Sequence, residues 1–262
     1  MARVKTTVPL RGKIGNVTFY NLNGVDIAAA AHRYVRNPKT EAQMKQRIKL
    51  NNILNMYGNI KNFLRNNFEG VFGTRNAASL FRSHNLRQNP VWLTERQKLF
   101  YYYVLAPYTV SYGRLDAIEY TFHDHIFTTS LKIGDNQVNE GTTIQELTDF
   151  IRDNNSGWQT DDSLKVLLMR QNTPADVNAN INNPDCIENL QFCNIDGHLA
   201  VKADQEGTYA FAICHTRGEG QKLLASTQKL LLSDNIVYDY FSGEEAMTAA
   251  LKSYKTAGYR NK

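Results

Sequence analysis

Near residue 115 the hydrophobic pattern changes its period, and that change limits the folds open to this chain. Upstream, Ile53, Met56, Tyr57, Ile60, Phe63 and Leu64 keep the three-and-four spacing of one helix face. Downstream, the apolar residues fall into short runs. Ile118–His123 alternates, and Ile126–Ile133, Ser163–Arg170, Leu190–Ile195, His198–Lys202 and Thr208–Thr216 follow, parted by turn formers such as Asp196-Gly197. Helices first and short strands later predict an α+β fold. The expected architecture is an N-terminal hairpin plus a helical domain over residues 1–114, then a mainly-β, sandwich-like domain with a few helices over residues 115–262. At 42% hydrophobic residues, the 262-residue chain can fill packed cores.

Local signals set finer expectations. Val17 and Phe19 alternate with Thr18 and Tyr20, Asn21–Gly24 reads as a turn, and Val25–Ala31 as the return strand. Asn37 is placed to cap a helix with Pro38 at its first position. That helix should run to about Tyr57, stop or kink at Gly58, and continue to about Phe68. A third helix is expected over Thr74–Asn85. A fourth should start at Thr94 and bury Leu99, Tyr102, Tyr103 and Leu105. Thr143–Glu146 and Ser242–Glu245 match the capping-box pattern, so helices should follow each. The second of these should carry Ala246, Ala249, Ala250 and Tyr254 on one face. Residues 172–185, rich in Asn, Pro and Ala, read as a loop, and Asn235–Phe241 as a last strand.

Charge is distributed unevenly under a net of +5. Residues 1–114 hold 18 Lys and Arg against four acids, a net of +14, while residues 115–262 hold 12 against 21, a net of −9. So polarised a chain should meet an anion through its first half: nucleic acid, an acidic protein surface, or the acidic half of another copy. The candidate interface residues are Arg3, Lys5, Arg11, Lys13, Arg33, Arg36, Lys45, Arg47 and Lys49. With Tyr20, Tyr34 and Tyr57 among them, they suit phosphate contacts and base stacking, and a solvated basic face is the plain alternative. Head-to-tail docking of one copy's basic half on a neighbour's acidic half is a third reading, closing into a ring where the rotation allows. The acidic half favours it, since a dedicated DNA binder has no need of one.

No catalytic, cofactor-binding or metal-binding residue is expected. His123-Asp124-His125, Cys186, Cys193, His198 and Cys214-His215 come nearest to a ligand set, but without paired Cys-x-x-Cys spacing they read as buried thiols and surface histidines. In strands, His123 and His125 would share a face whereas Cys214 and His215 would oppose each other. The glycines at 12, 15, 218 and 220 fit no phosphate loop. Asp161-Asp162 and Glu244-Glu245 are carboxylate pairs that would need a cleft for acid–base work. The chain has no Gly-x-Ser-x-Gly elbow, and an enzyme is not expected. Three cysteines argue against a disulfide framework and for a reducing compartment. No run reaches the roughly 20 apolar residues of a membrane helix, and no apolar stretch follows Met1–Thr7, so neither a membrane span nor a secretory leader is expected.

Two stretches carry a resemblance. Gly12-Lys13-Ile14-Gly15-Asn16-Val17 with Arg36-Asn37-Pro38-Lys39-Thr40-Glu41-Ala42-Gln43 and Arg47, and then Trp92-Leu93-Thr94-Glu95-Arg96-Gln97, resemble a family of uncharacterised proteins of Bacteroidota and their phages. The resemblance covers about the first 110 residues. It implies a virion component made in the bacterial host cytoplasm, with a crAss-like phage tail or connector as the nearest setting. The implied partners are copies of itself in a ring, neighbouring portal or tail proteins, and passing DNA, with residues 2–9 as an arm docking on a neighbour.

Overall fold

Alternation along two long strands organises the molecule. The structure is a computed structural model that describes residues 2–3, 11–22, 24–30, 37–71, 76–139, 142–173, 176–181, 190–203, 207–218 and 222–259. In chain order the elements are β1 (Ala2–Arg3), β2 (Gly12–Ile14), β3 (Val17–Leu22), β4 (Val25–Ala30), α1 (Glu41–Leu64), α2 (Ala77–Asn85), α3 (Glu95–Leu99), β5 (Thr109–Ser111), β6 (Tyr120–His123), β7 (Ile126–Lys132), α4 (Ile144–Asn154), β8 (Asp162–Thr173), β9 (Asp176–Ile181), β10 (Gln191–Ile195), β11 (His198–Lys202), β12 (Thr208–Arg217), β13 (Leu224–Ala225), β14 (Gln228–Lys229), β15 (Leu231–Leu232), α5 (Ile236–Ser242) and α6 (Glu244–Ser253). This is an α+β fold with an N-terminal hairpin sheet.

Strands β8 and β12 pair antiparallel from Asp162↔Arg217 to Gln171↔Thr208 and form the centre of a sheet ordered β13-β12-β8-β9. Because side chains alternate across a strand, each of the two supplies two cores. Leu164, Val166, Leu168, Tyr209, Phe211 and Ile213 face the second sheet, ordered β10-β11-β7-β6, and meet Phe127, Leu131, Leu199 and Val201 with Leu147 and Ile151 of α4. Leu167, Met169, Ala210, Ala212 and Cys214 face the helices and meet Ile53, Met56, Phe63, Phe81 and Tyr108. Small residues on the helix side of β12 let a stretch of main chain, residues 103–112, lie close to the sheet. The sandwich expected for the second half is therefore covered on its other face by the first half. The change of charge at residue 114 is not a gap in packing, since one core draws on both sides of it.

Buried amides hold that stretch in place. Asn52 of α1 donates to Val104 O at 2.8 Å and accepts from Val104 N at 2.7 Å, and it also donates to Tyr108 Oη at 2.8 Å. Asn85, ending α2, does the same for Thr109, at 2.9 Å to O and 2.7 Å from N. Gln171 of β8 completes the set, accepting from Leu105 N and donating to Tyr103 O, both at 3.1 Å. Main chain that runs through a core must have its polar groups paired, and here side-chain amides stand in for neighbouring strands. Just beyond, Glu69 accepts from Arg114 N, Ala225 N and Arg114 Nε at 2.8, 3.0 and 3.0 Å. A Cβ on Gly113 would lie 2.3 Å from Ala225 O and 2.4 Å from Glu69 Oε1. Gly113→Ala should therefore lower stability by about 1–3 kcal/mol, the usual cost of overpacking. Urea denaturation checks this, and an unchanged midpoint would refute it.

Several local expectations are corrected. The cap of α1 is Thr40, whose Oγ1 accepts from Gln43 N, so Asn37 and Pro38 precede the helix. The kink falls at Ile60 (φ −110, ψ 18), two residues past Gly58, and α1 ends at Leu64. Asn37 instead accepts from Arg47 Nη1 at 2.5 Å, and Lys39 donates to Tyr254 O at 3.1 Å. This stretch thus ties α1 to the C-terminal helix, where Met44, Ile48, Trp92, Leu251 and Tyr254 share a small core. Helix α3 stops at Leu99, which is exposed, because Tyr101 takes a positive φ of 57°. Tyr103 and Leu105 are buried from extended chain. Residues 172–185 include β9, which pairs with the free edge of β8 through main-chain bonds. Asn235–Phe241 is helical, its β-forming residues overridden by packing of Val237, Tyr238 and Phe241 on the helical core. Ser242 makes no capping box. Its hydroxyl donates to Asp239 O, and Gly243 starts α6. His123 and His125 do not share a strand face, since Asp124 and His125 form the turn between β6 and β7 at φ 45° and 62°.

Candidate functional site

Three groups of residues could carry function, and they lie apart. The first is the basic set. Lys5, Arg33 and Arg36, with Tyr34, lie outside the described residues, and Arg3 is placed only as main chain in β1. Arg11 and Lys13 are exposed and form no ion pair among the described residues. They belong to the N-terminal sheet, ordered β1-β4-β3-β2, in which no described residue is buried. Ala2 and Arg3 pair with Ala28 and Ile27 of β4, so that part of the expected arm is a strand of its own sheet. Asp26, the only acid of this sheet, accepts from Asn21 Nδ2 at 2.8 Å. At the β2–β3 tip, Gly15 turns the chain with φ 58°, and Ile14 and Val17 face each other across the strands, 66% and 37% exposed.

The basic residues of α1 are less free. Lys45 bonds Glu41 at 2.6 Å, which raises its pKa against the opposing effect of desolvation, with Glu244 adding a weaker pull. Arg47 is held by Asn37. Lys49 lies 5.9 Å from the centre of the Trp92 ring, and burial, helped by Lys45, lowers its pKa. Local partners thus occupy the cations that the sequence grouped with those of the hairpin.

The second group is a cleft of 470 Å3 between α3 and the α5–α6 elbow. Trp92 and Phe241 form its inner wall, and Trp92 is fixed there by N–H donation to Phe241 O at 2.9 Å and from Nε1 to Ser242 O at 3.2 Å. Asp239, Tyr240, Glu244 and Glu245 line its mouth, and no Lys or Arg is among its described lining. Helical register puts Ile236 and Tyr240 one turn apart on α5, and both are largely exposed. Leu99, Phe100 and Tyr101 add a further exposed apolar stretch where α3 ends. The sequence offered Glu244-Glu245 as a pair, but reading 235–241 as a strand hid the rest of the cleft, because alternation would have split Asp239 from Tyr240.

The third group is the most chemically suggestive. The Asp162 side chain is wholly buried and accepts from Arg217 Nε and Nη2 at 2.5 and 2.7 Å and from Gln159 N at 2.7 Å. His215 Nε2 lies 3.0 Å from Asp162 Oδ2, too poorly aligned for a good hydrogen bond, and Trp158 stacks on its ring at 4.0 Å. Burial pushes the Asp162 pKa up, but Arg217, the Gln159 amide and His215 together outweigh it and hold it below the usual range. Burial lowers the His215 pKa against the pull of Asp162. The carboxylate faces inward with its oxygens engaged, so the cluster stitches β8 to β12. Cys214, next in sequence, points to the opposite face as strand geometry requires, and burial raises its thiol to about 12. Among the described residues no three His, Cys, Asp or Glu side chains could together hold a metal, and no helix is long and apolar enough to cross a membrane.

No curated protein and no solved structure matches the chain. Residues 9–89, the stretch running from before the N-terminal hairpin to just past α2, match the model of a family described as a family of unknown function (DUF6266).

Proposed function

We propose that the protein is a non-enzymatic assembly subunit that joins copies of itself head to tail, as a ring component of a bacteriophage tail or connector. The virion setting comes from the sequence resemblance, and the mode of assembly from physical features. One observation carries it: a folded, basic, four-stranded sheet with apolar side chains on it and no described residue buried. A small sheet needs a packed face to be stable, and among the described residues none of this one's is buried. The nucleic-acid reading is weaker, because the α1 cations that would extend the basic face are bonded locally.

Comparing the full chain with residues 37–262 by mass photometry tests the reading. All three cores lie within residues 37–262, so the shorter chain should keep its thermal transition. The full chain should form a uniform oligomer and the shorter one should remain monomeric. A full chain that stays monomeric at every concentration, yet binds duplex DNA with a steep salt dependence, would replace assembly with nucleic-acid binding.

A further inference from the structure

We infer that the β2–β3 hairpin tip of one copy seats in the α3/α5–α6 cleft of the next. The inference rests on the assembly reading and names its two mating surfaces. The tip offers an aliphatic pair, Ile14 and Val17, on one face of the narrow ribbon, with Lys13 on the other face and Arg11 just before β2, and no partner for either cation among the described residues. The cleft offers the complement: apolar walls at Trp92 and Phe241, an exposed ring at Tyr240, and carboxylates at Asp239, Glu244 and Glu245. Its 470 Å3 admits two aliphatic side chains. Within one copy no described residue of the N-terminal sheet lines the cleft.

Charge also selects the mode of pairing. Tip against tip would bring cations together, and cleft against cleft would bring carboxylates together; both cost free energy on approach. Tip against cleft pairs opposite signs over an apolar centre, the arrangement of a stable interface. Such a contact joins two different patches, so it propagates into a ring or a filament and does not stop at a two-fold dimer. The occupant of the cleft is therefore a second copy of this chain.

Two full-length variants test the pairing. The tip variant is Lys13→Glu/Ile14→Asp, and the cleft variant is Glu244→Lys/Glu245→Lys. Tyr240→Ala serves as a second cleft variant that leaves the first turn of α6 intact. All alter exposed side chains, so thermal transitions should stay near that of the parent. Each alone should associate roughly thirtyfold more weakly or worse, the loss expected when a central anchor is removed. The diagnostic result is the mixture. An intact cleft on one variant and an intact tip on the other should give one-to-one dimers and nothing larger in sedimentation. Tip and cleft variants that assemble like the parent, or a mixture of monomeric variants that stays monomeric, would overturn the pairing while leaving the assembly reading standing if residues 37–262 alone fail to assemble. A tip variant that loses DNA affinity with its assembly unchanged would also overturn it. A parent chain monomeric at every concentration would instead remove the assembly reading itself.

Discussion

Asn52→Ala should unfold with about 3–5 kcal/mol less stability than the parent. The substitution leaves Val104 N–H and Val104 C=O without partners in a region free of solvent, and takes a donor from Tyr108 Oη. Each orphaned buried group costs about 1–3 kcal/mol, and the cavity adds to this. Neighbouring main chain cannot compensate, because residues 103–106 lie between α1 and the central sheet and Gln171 already serves Tyr103 and Leu105. Asn59→Ala, at an exposed position on the same helix, should change stability by less than about 0.5 kcal/mol. Urea denaturation of both variants checks this. A loss below about 1 kcal/mol for Asn52→Ala would show that the segment finds other partners and that the amide clamp is not what fixes it.

That clamp also shows where sequence reading reaches its limit. The strands of the second half were legible because hydrophobic alternation and turn pairs are local: β6, β7, β8, β10, β11 and β12 fall where the pattern places them, as does α4 behind its Thr143–Glu146 box. Elements whose identity is set by distant contacts were not. Ile236–Ser242 has strand-like composition, yet Phe241 and Val237 gain more by packing as a helix against a core drawn from residues as distant as Ile53 and Met56. β9 is held by the unpaired edge of β8, which no local pattern announces. Three buried asparagines, Asn52, Asn67 and Asn85, are structural for a reason equally hidden from local pattern: their partners are main-chain groups far along the chain. The candidate site divides the same way. Exposed charge at the hairpin tip follows from residue type, whereas the cleft needs Trp92 brought to Tyr240 and Glu244 from a distant stretch of the chain.

The Asp162 cluster gives the second large effect, and pH gives it a sign. Asp162→Asn should cost about 3 kcal/mol at neutral pH, since Arg217 loses a bidentate carboxylate and breaking a buried pair costs about 3–5 kcal/mol, eased because Arg217 borders a separate cleft, lined also by Arg114, Asp116, Trp158 and His215. In the parent, the Asp162 pKa is lower folded than unfolded, so its contribution is complete above the unfolded value near 3.8 and is lost as pH falls through the folded one. His215 is also lower when folded. Below its unfolded value near 6.5 the unfolded chain binds more protons, so stability declines as pH falls from there toward the folded value. Both groups therefore make the protein acid-labile, His215 from its unfolded value near 6.5 downward and Asp162 from its unfolded value near 3.8 downward. His215→Phe preserves the stack on Trp158 and removes the titration, so the slope of unfolding free energy against pH just below 6.5 should flatten. Asp162→Asn should remove the lower window and widen the upper one, because the carboxylate that holds the imidazole pKa up against burial is gone. Denaturation series at closely spaced pH values from 3 to 8 separate the two. An unchanged slope below 6.5 in His215→Phe would mean that the imidazole exchanges protons freely in the folded chain, and that the ring beside Asp162 is reached by water.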